Sequence, residues 1–234
     1  AYWGKEYQLQ DLGFDHVWDK LLYDRLRDGD APSLREHLRG EQSFQNRCMR
    51  FLENHFQDRA AVTFHPKRHR AALALTLGGA GVTLISYGQL LGARSRQPLS
   101  LQREPQDQPN RELPLIYESL CRALNHPAIR DGEWQLLDDS LPPQEGDVTA
   151  LFAMQWRHPS HGVVLILVNF GDIPISPRVC VHLGRDTHGR FRVRDRLGTE
   201  EFESSAWALS LDGITYELEP WAVRAFGLFP PGGP

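Results

Sequence analysis

The chain has 234 residues, enough for one large domain or two small ones. An apolar content of 41% and a charged content of 24% are ordinary for a folded globular protein. A net charge of −4 gives no reason to expect nucleic acid or an acidic membrane surface as a partner. The three cysteines, Cys48, Cys121 and Cys180, lie far apart and form neither a metal-ligand pair nor a disulfide framework. They fit a reducing, cytoplasmic setting, and nothing in their spacing implies a metal or other cofactor. No apolar run approaches the roughly 20 residues that span a bilayer, and no basic-then-apolar signal segment opens the chain. The chain begins without Met, already inside a motif, so it is expected to be a piece of a longer protein.

In chain order, Phe14 to Trp18 is the first strand candidate. Ser33-Leu34-Arg35-Glu36 has the pattern of a capping box, with Ser33 and Glu36 satisfying the free N–H groups of a helix start. Leu34 and Leu38 then fall one turn apart on one face. Cys48 to Glu53 is the second strand. Pro66 suits a first helical turn, Ala71 to Leu77 continue that helix, and Gly78-Gly79 ends it. Val82 to Ile85, apolar and β-branched, predicts a buried parallel strand. Gln97 to Glu112 reads as a surface loop, and Leu113 to Leu124 as a helix packed through Leu113, Ile116, Tyr117, Leu120 and Leu124. Strands alternating with helices imply parallel pairing with crossovers, an α/β arrangement.

Near residue 131 the character changes. Glu133 to Leu137, Val148 to Trp156, Val163 to Phe170, Arg178 to Leu183, Phe191 to Arg196 and Tyr216 to Phe229 read as strands parted by Gly, Pro and Asp clusters. Short strands at such intervals predict an antiparallel β-sandwich. The expected domains are therefore 1–130, α/β, and 131–234, all-β, with the Pro-rich C-terminus disordered.

The most informative stretch is Phe51-Leu52-Glu53-Asn54-His55-Phe56-Gln57-Asp58-Arg59. It resembles a strand-end segment of the α-amylase superfamily (glycoside hydrolase family 13), in which Asn-His-Asp closes an apolar strand and an Arg follows three residues later. The frame is kept, but Phe56 stands at the Asp position. Ala1-Tyr2-Trp3-Gly4-Lys5-Glu6 is similar to the segment that follows the family's general-acid Glu. Gly13 to Leu26 resembles the next strand and loop, Tyr87-Gly88-Gln89 with Gly92 to Arg96 the last barrel strand and its loop, and Asp131-Gly132-Glu133-Trp134 the entry to the C-terminal β domain. The resemblance covers nearly the whole chain. It implies the last part of a (β/α)8 TIM barrel, residues 1–130, followed by the sandwich.

Retaining glycosidases need two carboxyl groups about 5–5.5 Å apart, a nucleophile and an acid/base. The resemblance places both upstream of Ala1, and the third carboxylate, which holds sugar hydroxyls, at Phe56. A phenyl ring accepts no hydroxyl hydrogen bond and offers no charge to an oxocarbenium-like state. Single groups of that kind are worth about 10²–10³ in rate. Catalytic residues are therefore expected to be absent from this chain. His55 keeps the position that donates to sugar hydroxyls in the family; as a residue type it equally suits a strand-end histidine bonded to backbone. Arg59 keeps its position too, free to stack on Phe56, to turn to Asp58, or to cap the loop. Tyr2 and Trp3 suit either glucan contact or core packing. Asp15, Asp19 and Asp24 match loop carboxylates whose ordinary roles are caps and salt bridges. His65 and His69 lie four apart, but no third ligand makes a zinc site of them.

Two functions of different classes follow. One is the C-terminal portion of an α-glucan-acting hydrolase or transglycosylase, with the upstream barrel half as its partner and an α-glucan or maltooligosaccharide as its substrate. The other is a non-catalytic glucan-binding or scaffold protein derived from that family, in which Phe56 is selected.

Overall fold

The computed structural model describes residues 4–96, 107–108, 110–138, 148–184 and 188–230. Tyr2, Trp3, most of the 97–112 loop and the last four residues lie outside these. By internal contacts the chain divides into two units, Ala1–Glu118 and Ser119–Pro234.

The first unit opens with α1 (Gly4–Asp11) and β1 (Val17–Trp18), followed by α2 (Lys20–Asp28), α3 (Ala31–Leu38) and α4 (Gln42–Gln45). Next come β2 (Cys48–Phe51), α5 (Ala60–Thr63), α6 (Pro66–Gly78) and β3 (Val82–Leu84). The three strands form a parallel sheet in the order β1-β2-β3, registered Val17 to Cys48 and Met49 to Val82. The parallel strands with helical crossovers expected from the sequence are present. β3 departs from expectation: Val82 is 38% exposed. Among the described residues no strand pairs with its far edge, so a run read as fully buried is half open.

Carboxylates fix the starts of α2 and α3. Asp19 accepts from the Leu22 N–H at 3.1 Å to cap α2. Asp30, not Ser33, caps α3, accepting from the Ser33 N–H at 3.1 Å. The expected capping box is corrected here. Pro32 fits the first turn, where its missing N–H costs nothing, and Asp30 at the position before Ala31 is as strong a cap as serine. Leu34 and Leu38 do face the core, at 0% and 1% exposure.

The interior of this unit holds a polar knot. Asp19, His37, Gln45 and Arg50 are all buried. A ring nitrogen of His37, Nε2, lies 2.9 Å from the Asp19 carboxylate, and Arg50 Nε lies 3.7 Å from it. Arg50 Nη2 also donates to Gln45 Oε1, and Gln45 Nε2 donates to the His37 carbonyl at 2.6 Å. Burial alone would raise the Asp19 pKa, but His37, Arg50 and the Leu22 N–H together hold it below the usual range. Gly79, just past the end of α6, leaves room for the Arg50 guanidinium: a Cβ there would sit 1.5 Å from Nη1.

α7 (Leu113–Leu124) crosses the division between the units. The second unit continues with α8 (Pro127–Asp131), β4 (Glu133–Leu136), β5 (Leu151–His158), β6 (Gly162–Asn169), β7 (Arg178–Val179), β8 (Arg190–Asp195) and β9 (Glu201–Ser205). A π-helical turn (Ala208–Asp212), β10 (Ile214–Thr215) and β11 (Val223–Phe229) complete it. Six strands form an antiparallel sheet in the order β4-β5-β6-β11-β8-β9, and β10 pairs with β7. Leu151, Leu165 and Phe226 of the large sheet share one apolar cluster with Val179, Leu209 and Ile214. The alternation in β8, with Phe191 and Val193 inward and Arg190, Arg192 and Arg194 outward, is the period-2 pattern of a strand with one wet face. β9 escaped the sequence reading because Glu201-Phe202-Glu203 carries its charges on an exposed edge.

Candidate functional site

The residues singled out in the sequence sit where the parallel strands end. β2 stops at Phe51, and the chain runs through Glu53 and Asn54, both buried, to His55 and Phe56, both exposed. Asn54 Oδ1 accepts from the N–H groups of Phe56 and Gln57 at 2.8 and 3.1 Å. This side-chain turn aims the next two residues outward. Arg96 Nη2 donates to the Phe56 carbonyl at 2.6 Å and fixes the loop from outside.

Phe56 is 64% exposed. Its ring centroid lies 4.0 Å from that of His55 and 6.2 Å from that of Trp18 at the end of β1. Trp18 meets His55 edge-on at 5.5 Å. Beneath them, Trp18 touches Phe51 at 5.7 Å, and Phe51 stacks on Tyr23 at 5.3 Å. A column of rings thus rises from the core to an aromatic face at the strand ends. In open α/β sheets this end of the strands is where ligands bind. At the end of β3, Tyr87 is 71% exposed.

Of the positions expected of it, Arg59 takes neither the stack on Phe56 nor the turn to Asp58, but ties down the loop. Nη1 donates to Glu53 Oε1 at 2.7 Å, and Nη2 donates to the Tyr87 carbonyl at 3.2 Å. The other Glu53 oxygen accepts from the Ala60 N–H at 2.7 Å. Burial pushes the Glu53 carboxyl above its ordinary pKa, against the Ala60 N–H and the Arg59 charge. Gly88, at φ +83°, leaves room for Arg59: a Cβ there would lie 2.2 Å from Nη2. Asp58 goes instead to Arg96, at 3.8 Å.

The structure therefore brings His55 and Phe56 together, adds Trp18, and sets Arg59 to one side as an anchor of the loop. Glu53 and Trp18 were missed as parts of the site. A signal for Glu53 existed, since a carboxylate inside an apolar strand end calls for a cation partner. Asp19 is a buried helix cap, and Asp24 pairs with Lys20 at 2.5 Å. His69 is buried, with Nε2 2.8 Å from the Tyr117 hydroxyl. That hydroxyl also accepts from Gln89 Nε2 at 2.8 Å. Desolvation pushes the His69 pKa down to about 4. Burial pushes the Cys48 thiol up, which keeps it unreactive. Among the described residues no cluster of His, Cys, Asp or Glu could hold a metal ion, and no helix is long and apolar enough to cross a membrane.

No family model matches the sequence, and no curated protein does. Solved structures do. An α-amylase from Geobacillus thermoleovorans complexed with acarbose matches 97% of this chain and 51% of its own, with TM-score 0.72 and 15% identity. An Anoxybacillus α-amylase matches 99% and 51%, with TM-score 0.71 and 16% identity. A maltogenic α-amylase, AmyB, from Thermotoga neapolitana matches 96% and 53%, with TM-score 0.68 and 18% identity. The chain spans about half the length of these proteins. Its fold is that of about half an α-amylase chain, in line with the resemblance carried by the motifs.

Proposed function

We propose that this chain is the C-terminal portion of an α-amylase-like glycoside hydrolase or transglycosylase acting on α-glucans. On this reading residues 1–130 supply the last strands of a (β/α)8 barrel, and residues 131–234 form a C-terminal antiparallel β-sandwich. The observation that carries it is the Asn54-His55-Phe56 segment, which turns outward at the end of a parallel strand beside Trp18. The likeness of fold to α-amylases over nearly the whole chain supports it. His55 is assigned to the hydroxyls of a bound sugar, and Trp18 and Phe56 to its apolar face. Arg59 binds sugar only through the loop it anchors. The catalytic carboxylates belong to the upstream barrel half, so the chain alone does not hydrolyse glucan. Free Cys48, Cys121 and Cys180 suit a cytoplasmic protein.

One observation favours a second reading, a non-catalytic glucan-binding or scaffold protein. Phe56 does not fold away but joins His55 and Trp18 in one exposed aromatic face. Such a face binds sugar rings without cutting them.

Titration of the chain with maltoheptaose, followed at the Trp18 indole and His55 ring resonances, tests the site. Saturable shifts at both are expected, and unmoved signals would sink both readings. In a polypeptide that includes the upstream half, Phe56→Asp separates them. The enzyme reading expects hydrolysis to rise by about tenfold or more; the binding reading expects no gain.

A further inference from the structure

We infer that the second unit carries a binding site for a small oxyanion of the phosphate class, where His126, His158, His161 and Arg196 gather at one corner of the large sheet. His126 stands just before α8, His158 ends β5, and His161 lies in the turn that leads into β6. The His158 and His161 rings are 4.6 Å apart, and the His126 ring packs on Phe229 at 5.8 Å. The turn lies against that same end of β11. A Cβ on Gly162 would sit 2.2 Å from the Leu228 carbonyl oxygen and 3.7 Å from Phe229 Cα. Arg196, one residue past β8, is held beside the group, since its Nε donates to the Ala123 carbonyl at 2.5 Å. All three histidines are half-buried.

Two of the rings have their proton placed by the backbone. His126 Nδ1 accepts from the Ala128 N–H at 3.1 Å, and His158 Nδ1 accepts from the Ser160 N–H at 3.1 Å. A ring nitrogen that accepts carries no proton, so a neutral imidazole then keeps its proton on Nε2. Burial, followed by the charges of Arg196, His161 and His158, pushes the His126 pKa down to about 4, so that ring is neutral near pH 7. Both rings therefore present an Nε2–H donor, and neither has a lone pair left for a metal ion.

The Arg196 guanidinium adds a permanent positive charge whose planar fork suits phosphate oxygens. Acids on the elements that build the corner already have partners. Asp131 of α8 pairs with Arg130 at 2.9 Å, Glu133 of β4 with Arg157 at 2.5 Å, and Asp195 of β8 with Arg224 at 2.9 Å. Placed N–H donors beside a cation are the chemistry that recognises an oxyanion. The site stands apart from the glucan reading above and does not rest on it.

The test is a titration of the full chain with inorganic phosphate near pH 7 at constant ionic strength, followed by NMR at the ring nitrogens of the ten histidines. Signals are identified by their loss in His126→Gln, His158→Gln and His161→Gln. The free protein is expected to show the Nε2–H tautomer at His126 and His158. Phosphate is expected to shift both rings saturably, with Kd on the order of 1 mM. Arg196→Gln, checked for an unchanged melt, is expected to weaken binding at least about tenfold. His161→Gln, in the turn, is a second variant that should weaken it as well. An Nδ1–H tautomer at both rings would overturn the site. So would equal shifts from chloride at the same ionic strength, or phosphate shifts spread evenly over all the histidines. Saturable Zn²⁺ binding at these rings without a phosphate effect would overturn it in favour of a metal site.

Discussion

Arg59 donates to Glu53 at 2.7 Å across the turn that presents His55 and Phe56. The pair is nearly closed to solvent, with the two side chains 12% and 1% exposed. Glu53→Ala would strand the Arg59 guanidinium and the Ala60 N–H together. Removing one member of a buried pair costs about 3–5 kcal/mol. Urea unfolding should show a loss of that order, whereas Phe56→Ser, at an exposed position, should cost less than about 1 kcal/mol. Equal losses would mean that Phe56 and not Glu53 holds the loop.

Arg50 and Gly79 make a second dependence. Because an added methyl at residue 79 would fall 1.5 Å from Arg50 Nη1, and the guanidinium is fully buried, Gly79→Ala should cost about 2–3 kcal/mol. Arg50→Met costs stability of its own by taking the cation from Asp19 and Gln45, but it frees the space. The double variant should therefore lose measurably less than the sum of the two single losses in unfolding midpoint. Strictly additive losses would contradict the contact.

His69 ties stability to pH. Its folded pKa is pushed down to about 4 by desolvation, against about 6.5 in the unfolded chain. Between those values the unfolded state binds the extra proton. The contribution of His69 is therefore complete above about pH 6.5 and is lost as pH falls towards 4, at most about 3 kcal/mol in all. His126, also lowered to about 4 by burial and by Arg196, acts in the same direction. His69→Gln should flatten the fall in stability between about pH 6.5 and 4. An unchanged slope would exclude His69 as a source.

The three-stranded parallel sheet has its β1 and β3 edges unpaired among the described residues. Leu12 and Phe14, just before β1, are 77% and 56% exposed. Open edges next to apolar surface recruit other chains. Residues 1–130 produced alone should therefore aggregate on size-exclusion chromatography. A monomeric fragment with a sharp cooperative melt would contradict the half-barrel reading.

Much of this was legible in the sequence, for identifiable reasons. Parallel strands with helical crossovers followed from the apolar runs at Cys48 and Val82 and from the Pro66-to-Gly79 helix, because these signals are local. The strand end before His55 and Phe56 followed from a motif. Long-range partners were not legible. Asp19 read as a loop carboxylate because its partners, His37 and Arg50, lie 18 and 31 residues away in the chain. Arg59 was matched to its sequence neighbours Phe56 and Asp58, although the carboxylate facing it, Glu53, lay only six residues back. Trp18 passed as a strand residue because only the β1–β2 register brings it beside His55. α2 was hidden inside a segment read as strand and loop, since its cap and its buried Leu22 and Leu26 were attributed to the motif.

The central claim is that this chain works as one part of a larger α-glucan-acting protein. The most direct measurement is the intact mass of the protein isolated from its native source. The account predicts a mass well above the 26.7 kDa of this chain, with an upstream segment that completes the parallel sheet. A native mass equal to 26.7 kDa would contradict it, leaving the three-stranded sheet to stand alone and catalysis of the α-amylase type without its carboxylates.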